Sequence, residues 1–305
     1  MVGFIIRRIL WLLPVLFVVS VITFALMKAV PGGPWGREKA LPPGTIAMLN
    51  QKYGIDQPPI NQYVSWITGM VTLDFGPSYQ YPDRTVNDII EDGWPKTIQL
   101  GIMAFLTAIL LGIPLGIFAA LGHNRWPDYL ATGISMIGIA TPSFVLAILL
   151  IVIFSVGLDL FPSRGWKGPD TWVLPVLSLA GFQIAQIARY TRASMLEVTR
   201  KDYVRTAHSK GLRATAVVVR HMIRNALIPV VTILGPILAF LVTGSFIIEN
   251  FFGIPGIGRN YVVAINARDY SMIMATTVLY AFAVAFLNLV VDVLYAYIDP
   301  RIRYS

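Results

Sequence analysis

RYTRASMLEVTRKDYVRTAHSKGLRATAVVVRHMIRNALIP, Arg189 to Pro229, is a polar island in a very apolar chain. It carries nine basic residues, Arg189, Arg192, Arg200, Lys201, Arg205, Lys210, Arg213, Arg220 and Arg224, against two acids, Glu197 and Asp202. Long uncharged runs flank it on both sides. Asp202 suits the N-terminal end of a short helix over Asp202–Lys210, and Lys210 suits its last turn, because each charge opposes the helix dipole. Gly211 suits the left-handed position that ends such a helix. A second helix is expected to resume near Ala214 and run to Arg224, with Pro229 marking the start of the next apolar run. A polar, basic, helix–glycine–helix loop between two apolar segments is a place where another protein docks.

The rest of the composition fits that setting. Of the 305 residues 56% are hydrophobic and 13% charged, whereas a soluble domain carries roughly 25% charged residues. The mean hydropathy is +0.67. The class is a polytopic membrane protein. There is no cysteine, which excludes disulfides and thiolate metal sites. The net charge of +8 lies mainly at the ends of apolar runs, so it marks topology rather than a nucleic-acid partner.

Six runs are long enough to cross a bilayer core: Ile9–Met27, Thr97–Leu121, Tyr129–Leu158, Thr171–Ala188, Ala226–Ile248 and Tyr270–Val291. They do not alternate apolar and polar residues, so helices are expected and strands are not. The third run is long enough for a span plus an interfacial piece, and Gly133, Gly138 and Pro142 permit a kink in it. The first run follows Arg7-Arg8 but is longer than the apolar core of a signal peptide and lacks a small-x-small cleavage site, so it reads as a retained span.

Lys/Arg asymmetry orients the spans. The N-terminus, the 122–128 turn, the basic loop and the C-terminal tail together carry +9, and the opposite side −1. Both termini and the loop are therefore expected in the cytoplasm. The expected organisation is an N-terminal helix over 1–30, an external helical region over 31–96, a five-helix core over 97–298 containing the loop at 189–226, and a tail over 299–305. Within the external region, Thr45–Tyr53 before Gly54 reads as a short helix. Asn61–Thr72 reads as an amphipathic one, and Thr85-Val86-Asn87-Asp88 resembles a capping box.

Several chemistries are missing. No G-x-x-x-x-G-K-[ST] phosphate loop occurs, so the chain is not expected to hydrolyse ATP itself. The glycine cluster Gly253–Arg259 has the wrong spacing and reads as a turn. An ionisable residue at a bilayer centre costs about 2.5–3.5 kcal/mol on insertion scales and usually marks a relay or ion site. Only Asp292 comes near, at the end of the last span. His123, His208 and His221 all fall in loops, so a histidine-lined metal path is not expected. Gln183 and Gln186 share a helix face. They serve either hydrogen bonding between helices or the lining of a polar path, and Asn288 in the last span poses the same choice.

The stretch Asp202-Tyr203-Val204-Arg205-Thr206-Ala207-His208-Ser209-Lys210-Gly211-Leu212, followed by Arg220-His221 and Arg224-Asn225-Ala226-Leu227-Ile228-Pro229, resembles the cytoplasmic loop of ABC-importer permeases, most closely the dipeptide/oligopeptide/nickel branch. The wider family begins this loop with Glu-Ala-Ala; here Arg205-Thr206-Ala207 stands in that place and Gly211 keeps its position. Arg7-Arg8-Ile9-Leu10, Pro31-Gly32-Gly33-Pro34, Tyr53-Gly54-Ile55-Asp56-Gln57-Pro58, Leu73-Asp74-Phe75-Gly76, Thr141-Pro142-Ser143-Phe144 and Glu249–Gly258 resemble further signatures of that branch, in order along the chain.

The resemblance implies an all-α, six-span permease fold of the type I importer class and a subunit that forms a pathway with a second permease, alike or related. Two cytoplasmic ATPases would carry ATP and Mg, with no cofactor or metal on this chain, and an external binding protein would deliver the solute. It implies ATPase docking at Tyr203, Arg205, Thr206, Ala207, Lys210, Gly211 and Leu212. Ala207 and Gly211 would let another backbone approach, while Arg189, Arg192 and Arg224 would meet anionic lipid headgroups. Di- and oligopeptides, nickel chelates, glutathione and oligosaccharides are the solutes to consider. A carrier or channel driven by an ion gradient is the competing function, and a non-transporting membrane scaffold a third.

Overall fold

The computed structural model of the chain describes residues 2–31, 33–35 and 42–298. Met1, Gly32, residues 36–41 in the external region and the tail at 299–305 lie outside them. Among the described residues every regular element is a helix. Five helical stretches are long and apolar enough to cross a membrane: Ile5–Ala29, Val86–Leu121, Pro169–Thr199, Ala214–Val242 and Tyr270–Val293. A sixth arises if one sharply bent pair counts as a span.

Two compact units divide the chain. The first contains the segment up to Lys96 together with Pro255–Leu289. Helix α1 (Val2–Ala29) is followed by two short helices, α2 (Pro43–Lys52) and α3 (Pro59–Val71). Both short helices begin on proline, whose fixed φ and missing N–H suit a first turn. Gly54 takes φ +64° just after α2, as a helix stop requires. Helix α3 leans on α1: the Tyr63 hydroxyl lies 2.7 Å from Ser20 Oγ, and its ring meets Phe17 and Phe24.

The next helix, α4, runs from Val86 to Leu121, so the second span begins eleven residues earlier than its uncharged run. Its start is the expected capping box: Asp88 N–H donates to Thr85 Oγ1 at 3.2 Å, and Thr85 N–H donates to Asp88 Oδ2 at 2.8 Å. At about 1.5 Å per residue α4 extends about 54 Å, well beyond a hydrocarbon core of about 30 Å.

The second unit covers Thr97–Ile254 with the end of the last helix. Here the third apolar run bends, as its Pro142 permits. It is two pieces, α5 (Trp126–Ala140) and α6 (Ser143–Leu150), the latter continued by a π-helical stretch to Gly157, and the pair is bent by 112°. The bend sits at Thr141 and Pro142, both extended. A residue before proline is pushed out of the helical region by the ring, which fixes the break at Thr141.

Helix α7 (Pro169–Thr199) continues past its span into the basic loop. There follow α8 (Asp202–Ser209) and α9 (Ala214–Ala216), the latter prolonged by a π-helical stretch Val217–Ile223 into α10 (Arg224–Val242). The expected fifth run overshoots. Its helix stops at Val242, Gly244 turns left-handed at φ +85°, and Ile248 belongs to a separate helix, α11 (Phe246–Phe252). Helices α12 (Ile257–Ala267) and α13 (Tyr270–Ile298) complete the described chain.

Small residues bring the helices of the second unit together. Gly112 and Gly116 of α4 lie against α7: a Cβ on Gly112 would stand 2.9 Å from Ile187, and one on Gly116 only 2.5 Å from the Ala188 carbonyl oxygen. A Cβ on Gly101 would meet the Leu241 carbonyl oxygen of α10 at 2.3 Å. Such close backbone approach gives packing contacts that apolar lipid cannot match.

Candidate functional site

The basic loop is a rigid projection rooted in the second unit. Val204 and Ala207, three apart on α8, turn inward and join a buried cluster with Ala120, Met195, Val198, Val217, Met222 and Ala226. The opposite face of α8 is solvent-facing: Tyr203, Arg205 and Thr206 are exposed, as are Lys210, Gly211 and Leu212 beyond it. Ala207 is only 4% exposed. The expectation that Ala207 opens the knob to another backbone is thus corrected. A methyl group there fits the inward face and seats α8 on its own chain.

The end of α8 is a Schellman motif. Leu212 N–H donates to the Ala207 carbonyl at 3.4 Å, and Gly211 N–H to the His208 carbonyl at 2.9 Å. Gly211 has φ +76°, and a Cβ built on it would meet nothing within 4 Å. Glycine is required there by backbone conformation, not by lack of room. Thr206 Oγ1 donates to the Asp202 carbonyl at 3.0 Å, and Ser209 Oγ to that of Arg205 at 3.1 Å. The Arg205 guanidinium lies 3.8 Å from Asp202, with both side chains almost fully exposed, so it is free to meet another surface. At the junction with α7, Lys201 pairs with Glu197 at 2.8 Å, and this contact holds the Lys201 ammonium above its ordinary range.

Arg192 was expected at a lipid surface; the structure assigns it another partner. Its Nε and a terminal nitrogen reach Asp128 at 2.5 and 2.8 Å in a bidentate pair. Asp128 is 3% exposed. It also accepts from Asn124 N–H at 3.0 Å and lies 3.1 Å from His123 Nδ1. The turn at 122–128 is therefore tied to α7. His123 joins that knot while staying exposed to solvent.

A second feature lies higher in the same unit. Gln183 and Gln186 of α7 line a cavity of about 500 Å³, together with Thr141, Ser143, Ser245 and the rings of Phe182 and Phe240. Gln183 is buried and Gln186 half-buried. The cavity borders the α5–α6 bend, and none of its lining residues is charged. Asn288, the third candidate, stands half-buried on α13 in the other compact unit and is not among that lining.

Sequence reasoning missed Glu249. It is fully buried, in the first turn of α11, and accepts from Thr97 Oγ1 at 3.1 Å. Its run of apolar neighbours ends one residue earlier, so a search for uncharged windows stops short of it. The short reach between Gly244 and Thr97, where a Cβ would come within 2.3 Å, is what encloses it.

Comparison with known proteins agrees with this architecture. Residues 112–304 match the family of binding-protein-dependent transport system inner membrane components, and residues 1–101 match the N-terminal part of such membrane components. The dipeptide transport system permease protein DppB of Bacillus subtilis is 43% identical over 99% of this chain and 98% of its own length. The oligopeptide permease protein OppB of Haemophilus influenzae is 42% identical over the full length of both. The glutathione permease protein GsiC of Escherichia coli is likewise 42% identical over the full length of both. Among solved structures, the MetNI methionine ABC transporter shares the fold at a TM-score of 0.58 and 16% identity, over 69% of this chain and 96% of that one. An amino acid ABC transporter does so at 0.55 and 16%, over 68% and 93%. The chain belongs to the inner membrane components of binding-protein-dependent transport systems, as a permease of the dipeptide/oligopeptide branch of ABC importers.

Proposed function

We propose that this permease forms part of a membrane pathway for short peptides, and that partner ATPases drive it by docking on α8 and the turn after it. Membership of a binding-protein-dependent system implies ATPase and substrate-binding partners. The finer reading is two permease subunits and two ATPases, with ATP and Mg held entirely on the ATPases. The observation that carries the docking reading is the two-faced character of α8. Val204 and Ala207 root it in the permease core, while Tyr203, Arg205, Thr206, Lys210, Gly211 and Leu212 are presented outward. A push on such a knob is transmitted to α4, α7 and α10 through packed side chains rather than lost in a mobile loop. The charge asymmetry supports placing this knob and both termini in the cytoplasm.

Peptides are favoured as cargo because the named relatives transport dipeptides, oligopeptides and glutathione, itself a tripeptide. The uncharged cavity at Gln183 and Gln186 suits that cargo. A glutamine amide both donates and accepts, matching a peptide group, and a neutral lining does not select on side-chain charge. The test is uptake of a labelled peptide into proteoliposomes holding the complete complex. Uptake that requires ATP, and that is lost with Gly211→Trp at normal membrane insertion, is expected. Uptake indifferent to both would overturn the docking reading. Replacement of Gln183 and Gln186 by leucine is expected to slow uptake several-fold without changing complex assembly.

A further inference from the structure

A cavity of about 330 Å³ in the first compact unit has no part in this transport scheme. It lies between the end of α1, the turns after α2 and α3, and the start of α13. Its walls are largely aromatic, including Phe24, Tyr53, Trp66, Tyr79 and Tyr270. Lys28, half-buried, stands among them. Its ammonium is 5.5 Å from the centre of the Phe24 ring and 6.0 Å from that of Tyr270, and it donates to Gln62 Oε1 at 2.5 Å. Among the described residues no carboxylate forms an ion pair with it. Lys52 also lines the cavity, with its ammonium over Tyr53, and the one carboxylate in the lining, Asp74, already accepts from Gly76 N–H. Two ammonium groups against one carboxylate leave a net positive cavity. Taking an ammonium out of water without a counter-ion is unfavourable.

We propose that this cavity binds the phosphodiester of a membrane phospholipid headgroup, with Lys28 as its principal partner and Lys52 at its mouth. A phosphate oxyanion supplies the missing counter-charge, and the aromatic walls take the headgroup carbons. What points to a lipid rather than a soluble anion is the place of Lys28, in the last turn of α1. Lys28 lies one residue beyond the apolar run of α1, where a lysine reaches the headgroup layer.

The experiment is native mass spectrometry of the intact purified complex, titrated with dioleoylphosphatidylethanolamine, dioleoylphosphatidylglycerol and dioleoylglycerol. The proposal expects a retained phospholipid in the native complex, no equivalent retention of dioleoylglycerol, and about tenfold weaker retention in Lys28→Met. Lys28→Arg is expected to retain the lipid. Lys52→Gln alters an exposed side chain and is expected to weaken retention about threefold; it keeps the test decisive if Lys28→Met does not assemble. Unchanged retention in every lysine variant that assembles overturns the proposal. So does binding of inorganic phosphate with the same Lys28 dependence and no phospholipid retained, which would make this a site for a soluble oxyanion.

Discussion

Two residues show how differently a single side chain can matter here. Gly211 is bound by its backbone: φ +76° with open space around it. An L side chain in the left-handed region costs about 1–2 kcal/mol, and asparagine tolerates that region better than alanine does. Gly211→Ala is therefore expected to loosen the end of α8 and lower peptide uptake, while Gly211→Asn keeps more of it; uptake rates in proteoliposomes, compared at equal permease content, rank the two. Asp128 is bound by its partners instead. Replacing it by asparagine leaves Arg192 without its bidentate acceptor, and breaking a buried pair from one side costs about 3–5 kcal/mol. Arg192 is 30% exposed, which moves the expected loss to about 2–3 kcal/mol because water recovers part of it. The double change Asp128→Asn with Arg192→Met is expected to recover stability relative to Asp128→Asn alone, as read by thermal unfolding of the detergent-purified protein.

At the scale of elements, fit between helix backbones decides. A Cβ on Gly116 would stand 2.5 Å from the Ala188 carbonyl oxygen and from Thr191 Cβ, so α4 and α7 have to separate to admit it. Gly133 of α5 meets nothing within 4 Å. Gly116→Ala is expected to destabilise by about 1–3 kcal/mol, as overpacking does. Gly133→Ala is expected to stabilise by about 0.5–1 kcal/mol, the ordinary gain from replacing a mid-helix glycine. Unfolding midpoints of opposite sign for two Gly→Ala changes are the check.

This contrast also marks what the sequence makes legible. The apolar runs and the basic loop announce the helices, because hydropathy and charge are local properties. The Thr85–Asp88 box and the Gly211 stop are equally local, and the structure has both. The inward turn of Ala207, the Asp128–Arg192 pair across 64 residues, and buried Glu249 against Thr97 across 152 are not local. Each depends on which helices cross, and a single sequence does not state that. The bend at Thr141–Pro142 lies between: proline gives its position, whereas its size of 112° is read from the structure.

For the molecule as a whole, the question is whether the basic loop transmits work from outside the chain. Thr206 and Ala207 are neighbours in sequence and opposite in setting: Thr206 is exposed, and Ala207 is packed against the cluster that includes Met195 and Met222. A tryptophan at 207 has to displace that cluster, so it is expected to lower the unfolding midpoint of the isolated permease. A tryptophan at 206 adds bulk only to the outer face and is expected to leave that midpoint unchanged. If ATPases dock on this face, Thr206→Trp nevertheless stops ATP-driven uptake in the complete complex and weakens recovery of the ATPases with the purified permease. If the face is merely solvated, uptake and recovery stay as they are in the unaltered protein. Under the docking proposal stability and coupling thus separate at two adjacent residues, because one side of a short helix packs on this chain and the other is exposed.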